Sequence, residues 1–222
     1  MTSDRAPHTA SREDPRLAEL LGGRAGAVDA SIPVVAFVLA WVVAGAAGSA
    51  FPINWGAGAA IVAGAAVAGW RLYRGRRPRA VLFGLAGVVV AAGIALVTGR
   101  ASDFFLVQIV SNVGSALAWA ISVVVRWPLL GVVVGGLLGQ RTRWRRDPDL
   151  LRGYQRASWA WVAQYVLRLS VFLPLWAADQ VVLLGVARTV LSPVLVGLSV
   201  LVSWPLLRTA LPADHPGIRH PR

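Results

Sequence analysis

Residues 80–97 read AVLFGLAGVVVAAGIALV, eighteen consecutive residues without a charged side chain. An α-helix rises about 1.5 Å per residue, so about 20 mostly apolar residues cross the hydrocarbon core of a bilayer. This stretch therefore predicts a transmembrane helix. Five arginines precede it within residues 71–79, whereas only Arg100 follows it closely. Because arginine accumulates on the cytoplasmic side of membranes, its N-terminal end is expected in the cytoplasm.

Similar apolar stretches lie on both sides of this one. The spans that they predict are 30–48, 53–70, 104–125, 157–178 and a sixth from about Leu191. Arg188 and Pro193 divide the apolar run 181–207, so we expect a short outer segment before the sixth span. Residues 129–138 are apolar but too short to cross, which predicts a re-entrant or interfacial segment. The predicted fold is an all-α polytopic membrane helical bundle with about six transmembrane helices plus this short segment.

The distribution of arginine predicts the topology. In a six-span arrangement every arginine cluster falls on one side, and the loops on the opposite side hold only Arg100. The clusters are residues 71–79, 126–156 and 208–222. Both termini are therefore expected in the cytoplasm, as in a multi-pass protein of a bacterial cytoplasmic (inner) membrane.

The composition leaves little room for a separate soluble domain. Of the 222 residues, 56% are hydrophobic and only 14% are charged, so the spans use most of the length. The predicted division is a polar cytoplasmic segment 1–28, a membrane domain 29–208 and a polar cytoplasmic tail 209–222.

The net charge of +12 comes from arginine alone, because the chain contains no lysine. The arginines adjoin apolar runs, where topology determinants and lipid contacts belong. Anionic lipid headgroups are therefore the predicted partners, and nucleic acid is not expected. Cysteine is absent, which excludes disulfides, thiol nucleophiles and thiolate metal sites.

Arg168 is the first candidate for function. It lies ten residues from the outer end of the fifth predicted span, or about 15 Å deep. An arginine near the bilayer centre costs about 2.5–3.5 kcal/mol on insertion scales, so it must face protein or water. At helical spacing, Gln164 and Tyr165 share its face, and the guanidinium could stack on a ring or form a hydrogen bond there.

The fourth predicted span carries a polar stripe that includes Gln108, Asn112 and Ser115. Counted from the outer end, Asn112 and Ser115 bracket the depth of Arg168, so the two helices could share a polar pocket. Two interpretations remain open. The cluster is either an anion or headgroup site, or a set of interhelical hydrogen bonds that holds the bundle together.

Three acidic residues near predicted span ends also have alternative interpretations. Asp103 could be the counter-ion of Arg168 or an ordinary acid of a surface turn. Asp179 and Arg188 could form a solvated pair. Asp29 is interpreted as the N-cap of the first span rather than as a proton carrier.

Residues that usually carry catalysis are scarce. The histidines all lie in the polar tails and the glutamates all precede the first span: His8, His215, His220, Glu13 and Glu19. Asp147 and Asp149 are only weak evidence for a metal site. Without lysine there is no Walker-type phosphate loop. The sequence therefore predicts no catalytic residues, no metal, no cofactor and no enzymatic activity.

Three short motifs resemble those of an actinobacterial membrane family of unknown function, which is related to the intracellular septation protein A group. The motifs are GRASDFF at 99–105, VRWPLLG at 125–131 and Trp144-Arg145. The resemblance extends over roughly residues 20–208 in the order and spacing of the spans. It implies an inner-membrane protein and supplies no catalytic residues.

Three hypotheses follow for function. The leading one is a non-enzymatic membrane protein of the cell envelope that acts through contacts with lipids, envelope proteins or further copies of itself. The second is a small transporter or channel that binds an anionic solute with Arg168, Gln108, Asn112 and Ser115. The third is an intramembrane enzyme acting on lipids with Asp103 or Asp179 as acid or base.

Overall fold

The computed structural model describes residues 23–76, 78–140, 142–212 and 215–218. Eight α-helices lie within these residues: α1 (Gly23–Ala46), α2 (Pro52–Tyr73), α3 (Pro78–Thr98), α4 (Leu106–Val124), α5 (Leu129–Leu137), α6 (Pro148–Ala177), α7 (Val181–Val186) and α8 (Ser192–Arg208). Short 3-10 helices precede α4 (Ala101–Phe105) and α6 (Arg143–Arg145), and a π-helical turn (Ala187–Leu191) joins α7 to α8.

Six helical segments are long and apolar enough to cross a membrane, which confirms the predicted fold class. They are α1, α2, α3, α4 with its 3-10 turn, α6, and the run from α7 to α8. The short helix α5 takes the place of the predicted segment 129–138. The chain is therefore a polytopic helical bundle.

Helix α6 begins nine residues before the predicted start of the fifth span at residue 157. The side chain of Asp147 accepts hydrogen bonds from the backbone N–H groups of Asp149 and Leu150, and Pro148 occupies the first helical position. Both features are favourable at a helix N-terminus. The apolar pattern predicted only the membrane portion of a longer helix.

The predicted division of the last apolar run coincides with a change of helix type, because α7 ends at Val186 and α8 begins at Ser192, one residue from the predicted start of the sixth span. The chain nevertheless stays helical from Val181 to Arg208, through a π-helical turn at Ala187–Leu191, so the short segment and the span form one membrane segment. A proline lacks an N–H and crowds the preceding turn, and a wider π turn is one way for a helix to accommodate it. The helix therefore continues through Pro193.

The N-cap prediction for Asp29 is wrong. Helix α1 begins at Gly23, which places Asp29 within the helix. Its Oδ2 accepts a hydrogen bond from the Nε of Arg71 at 3.1 Å. The pair joins the start of α1 to the end of α2.

The helices form two groups, α1–α2–α3 and α4–α6–α8, and pack closely within each group. The loops of the bundle lie at two ends. The arginine-poor end holds residues 47–51, 99–105 and 178–180, and the arginine-rich end holds residues 74–76, 125–140, 142–147, 209–212 and 215–218.

Contacts between the groups concentrate at the arginine-poor end, through α7 and the 3-10 turn before α4. There the rings of Phe37 and Phe104 stack with centroids 4.1 Å apart, and Phe105, Phe172 and Leu184 complete the buried core. A second core, around Trp144, Leu150, Tyr154, Ala157 and Leu207, lies within the second group at the arginine-rich end.

Candidate functional site

Arg168 lies on α6 with only 6% of its surface exposed. Its Nη2 donates to Oε1 of Gln164 at 3.3 Å and to the backbone oxygen of Ser192 at 2.8 Å. The guanidinium carbon lies 5.4 Å from the ring centroid of Tyr165. All three partners are neutral, and no ion pair within the described part of the chain includes Arg168. A buried positive charge is therefore held by hydrogen bonds alone.

Several buried donors on α4, α6 and α8, the helices that pack around Arg168, have no hydrogen-bond partner among the described residues. They are Nε of Arg168, Nε2 of Gln164 and Nδ2 of Asn112, together with the hydroxyl of Ser192. A buried polar group without a partner costs about 1–3 kcal/mol. An anion would supply the hydrogen-bond acceptors that these three N–H donors lack.

The packing of α4 against α6 brings Asn112 to the level of Arg168. The rings of Trp119 on α4 and Trp161 on α6 stack with centroids 5.0 Å apart. The helices run in opposite directions, because Gln155 at the other end of α6 donates to the backbone oxygen of Val123. Asn112 precedes Trp119 by seven residues, and Arg168 follows Trp161 by seven. Seven residues are about two helical turns, so both side chains lie on the shared face at one depth.

The remaining members of the predicted stripe are less closely associated with Arg168. Nε2 of Gln108 donates to Oδ1 of Asn112 at 3.1 Å, which orients the Asn112 amide. Ser115 is half-buried. The structure thus places Gln164 and Tyr165 in contact with Arg168. Asn112 lies at the same depth by residue count, and Gln108 contacts Asn112.

Asp103 is not the counter-ion of Arg168, so that prediction is wrong. The Asp103 carboxylate is buried, and its Oδ1 accepts a hydrogen bond from Nε1 of Trp176 at 2.8 Å. Nη1 of Arg100 lies 4.0 Å from the same oxygen. Trp176 follows Arg168 by eight residues, or about 12 Å along the helix. Asp103 instead fastens the 3-10 turn to the last turns of α6.

Arg188 is partly buried, and within the described residues it forms no ion pair with Asp179. It lies on the π-helical turn and lines a cavity of about 160 Å³ together with Gln108 and Ser111. Sequence reasoning did not assign a site to Arg188. The signal was present, because an arginine inside an apolar run is itself a reason to expect a function.

Groups of acidic, histidine or cysteine side chains that could hold a metal ion are not found among the described residues. One tail histidine is nevertheless ordered and buried. Nε2 of His215 lies 2.8 Å from Oδ2 of Asp147, the residue that caps α6. This contact attaches the C-terminal tail to the start of α6.

Comparison with known proteins identifies a family but no function. No curated protein and no solved structure matches the chain. A family model described as "Protein of unknown function (DUF3159)" matches residues 21–214, which is most of the sequence. This match agrees with the resemblance to a family of unknown function. The chain therefore belongs to the family described as Protein of unknown function (DUF3159).

Proposed function

We propose that this protein is a non-enzymatic protein of the bacterial cytoplasmic membrane that acts by binding an anionic lipid headgroup at Arg168. The observation that carries the proposal is the buried guanidinium of Arg168, which has only neutral partners. The resemblance to actinobacterial membrane proteins related to intracellular septation protein A favours a role in the cell envelope.

The energetics of the Arg168 centre favour an anionic ligand. A buried charge without an opposite charge is costly, and each unpartnered donor adds to that cost. A phosphate or carboxylate would accept hydrogen bonds from Nε of Arg168, Nε2 of Gln164 and Nδ2 of Asn112, which have no hydrogen-bond partner among the described residues. Charge-assisted bonds of this kind are about twice as strong as neutral ones.

The arginine-rich end has the chemistry of a headgroup region. Arginine side chains lie over tryptophan rings in three places, with guanidinium carbons 3.9–5.8 Å from the ring centroids. The pairs are Arg74–Trp70, Arg145–Trp127 and Arg208–Trp204. Aromatic rings and basic side chains are both enriched where lipid headgroups meet the hydrocarbon core. These pairs support a protein that works in contact with anionic lipid.

Transport of a small anionic solute is the second candidate function, and one further observation favours it. Arg168 donates to the backbone oxygen of Ser192, directly after the π-helical turn that breaks the α-helical pattern of the last membrane segment. Transporters commonly place their substrate sites near the midplane, at interrupted helices. The same polar centre would then bind a solute only transiently.

Thermal unfolding in lipid nanodiscs tests the proposal. We expect nanodiscs of phosphatidylglycerol to raise the unfolding temperature of the wild type above its value in phosphatidylcholine. Arg168→Gln should lose most of this rise, because losing a charged hydrogen bond weakens binding about tenfold. Arg156→Gln is the matched control, since Arg156 is an exposed arginine of the same helix. An equal loss in both variants would show that surface charge, not the buried centre, recognises the lipid.

A flux assay separates the two candidate functions. Liposomes that contain the wild type should retain entrapped phosphate and chloride as well as protein-free liposomes do. Release of either anion by the wild type, and not by Arg168→Gln, would favour transport over lipid binding.

A further inference from the structure

A gap between α3 and α4 contains a second arginine. The two helices share few contacts, and residues of both, together with Ala30 and Val34 of α1, line a cavity of about 160 Å³. Arg188 enters it from the π-helical turn, next to Gln108 and Ser111 of α4. The remaining walls are largely apolar and include Val88, Phe104 and Val107. The cavity thus combines apolar walls with a polar side formed by Arg188, Gln108 and Ser111, and it holds one positive charge.

The guanidinium of Arg188 has no partner of opposite charge. Throughout the described ranges, Arg188 takes part in no hydrogen bond, ion pair or ring contact, and no acidic residue lines the cavity. The carboxylates of Asp29 and Asp103 are engaged by Arg71 and Trp176. An uncompensated charge in an apolar setting is destabilising, so an anion that reached Arg188 would be bound favourably.

Two glycines keep the α3 wall of the cavity open. Gly84 and Gly87 both line it, and a methyl group added at either would meet no atom within 4 Å. Glycine inside a helix is about 0.8–1 kcal/mol less favourable than alanine. Helix packing therefore does not require the lack of side chains at Gly84 and Gly87.

The cavity opens on the flank of the bundle. Phe83 on its α3 side is 80% exposed, and Ser111 on its α4 side is also exposed. In a membrane-spanning bundle these side chains face lipid. A ligand would therefore reach Arg188 sideways from the bilayer.

We propose that the Arg188 cavity binds the phosphate group of an anionic glycerophospholipid, which enters between α3 and α4. The guanidinium fork matches two phosphate oxygens, and the second Nε2 hydrogen of Gln108 is available beside it, since the first is donated to Asn112. The acyl chains remain outside against the apolar flank around Phe83. This site differs from the Arg168 centre in its arginine and its apolar walls, although Gln108 contacts both the cavity and Asn112. Neither proposal depends on the other.

Native mass spectrometry of the full chain in detergent, with dioleoylphosphatidylglycerol added, tests this site. The wild type should bind the lipid both in this cavity and at the Arg168 centre, and we expect Arg188→Gln to weaken one of these two binding events about tenfold. Gly87→Leu should show a similar loss, because Gly87 lines the cavity, a Cβ there would meet no atom within 4 Å, and the larger side chain would occupy cavity space. Gly93→Leu is the matched control: it lies on the same helix, has equally open space and does not line the cavity. It should bind as the wild type does.

The outcomes separate the possible ligands and the two proposed sites. Dioleoylglycerol, which lacks the phosphate, and inorganic phosphate, which lacks the chains, should both fail to bind the wild type at the same concentrations. Strong binding of either would overturn the proposal, as would unchanged lipid binding by both Arg188→Gln and Gly87→Leu. Gly87→Leu should weaken lipid binding by the same factor when it is added to Arg168→Gln as when it is added to the wild type. The test of the cavity is therefore independent of the Arg168 centre.

Discussion

At the scale of single residues, the partners of arginine differ with depth. Near the arginine-rich end, Arg74 and Arg145 lie over tryptophan rings. Deeper in the bundle, Arg168 bonds to an amide and a backbone oxygen, and Arg188 lines a cavity. Arginines at the interface can reach water and headgroups, whereas buried ones depend on the protein or on a ligand. This contrast makes Arg168 and Arg188 the residues to test for function.

Gly131 is a residue whose lack of a side chain is required by packing. A Cβ at this position would lie 2.7 Å from the ring of Trp144, which is fully buried and packs edge-on against Tyr154. We expect Gly131→Ala to lower stability by about 1–3 kcal/mol, the usual cost of overpacking. The thermal unfolding midpoint in detergent measures the effect.

Gly136→Ala is the matched control for this substitution. Gly136 lies on the same helix, α5, and a Cβ there would meet no atom within 4 Å. Alanine is the better helix former by about 0.8–1 kcal/mol, so this variant should be as stable as the wild type or slightly more so. Equal midpoints for Gly131→Ala and Gly136→Ala would show that Trp144 is not fixed against α5.

At the scale of the helices, hydropathy predicted which segments are long and apolar enough to span the membrane. The contacts that hold these helices together are known only from the structure. The six spans follow from the lengths of the apolar runs, and the common depth of Asn112 and Arg168 follows from counting residues. The contact between Asp103 and Trp176 joins residues 73 positions apart and could not be predicted. Hydropathy gives depth and a helix face, but not which helices are neighbours. The early start of α6 was missed because its first residues are polar.

Helix α6 offers a test of what fixes its start. Asp147→Ala removes both capping hydrogen bonds and the contact with His215, so we expect a loss of about 0.5–2 kcal/mol from the cap alone. Hydrogen exchange at the amides of Asp149 and Leu150 should become faster.

Asp149→Ala is the neighbouring control for the cap. It removes only an ion pair with Arg152, whose side chain is 64% exposed, and such pairs contribute about 0–1 kcal/mol. Exchange at Leu150 should remain close to that of the wild type. Equally fast exchange in both variants would mean that acidic charge, rather than the capping geometry, holds the first turn of α6.

At the scale of the whole molecule, the two helix groups meet mainly at one end. The shared core around Phe37, Phe104 and Phe172 lies toward the arginine-poor end, and the second core belongs to one group alone. The groups are therefore less constrained against each other toward the arginine-rich end. The Arg188 cavity is lined by residues of both groups, so a lipid bound there would influence how the groups pack.

The orientation of the molecule in the membrane is the last prediction, and the absence of cysteine makes it easy to test. Ala50→Cys places a single thiol in an exposed loop of the arginine-poor end, and Thr142→Cys places one at an exposed site of the arginine-rich end. Because arginine-rich loops stay in the cytoplasm, a membrane-impermeant maleimide should label Ala50→Cys in intact spheroplasts. It should label Thr142→Cys only after permeabilisation, whereas a permeant maleimide should label both. The reverse pattern would show that the molecule has the opposite orientation in the membrane, with the arginine–tryptophan pairs in the outer leaflet.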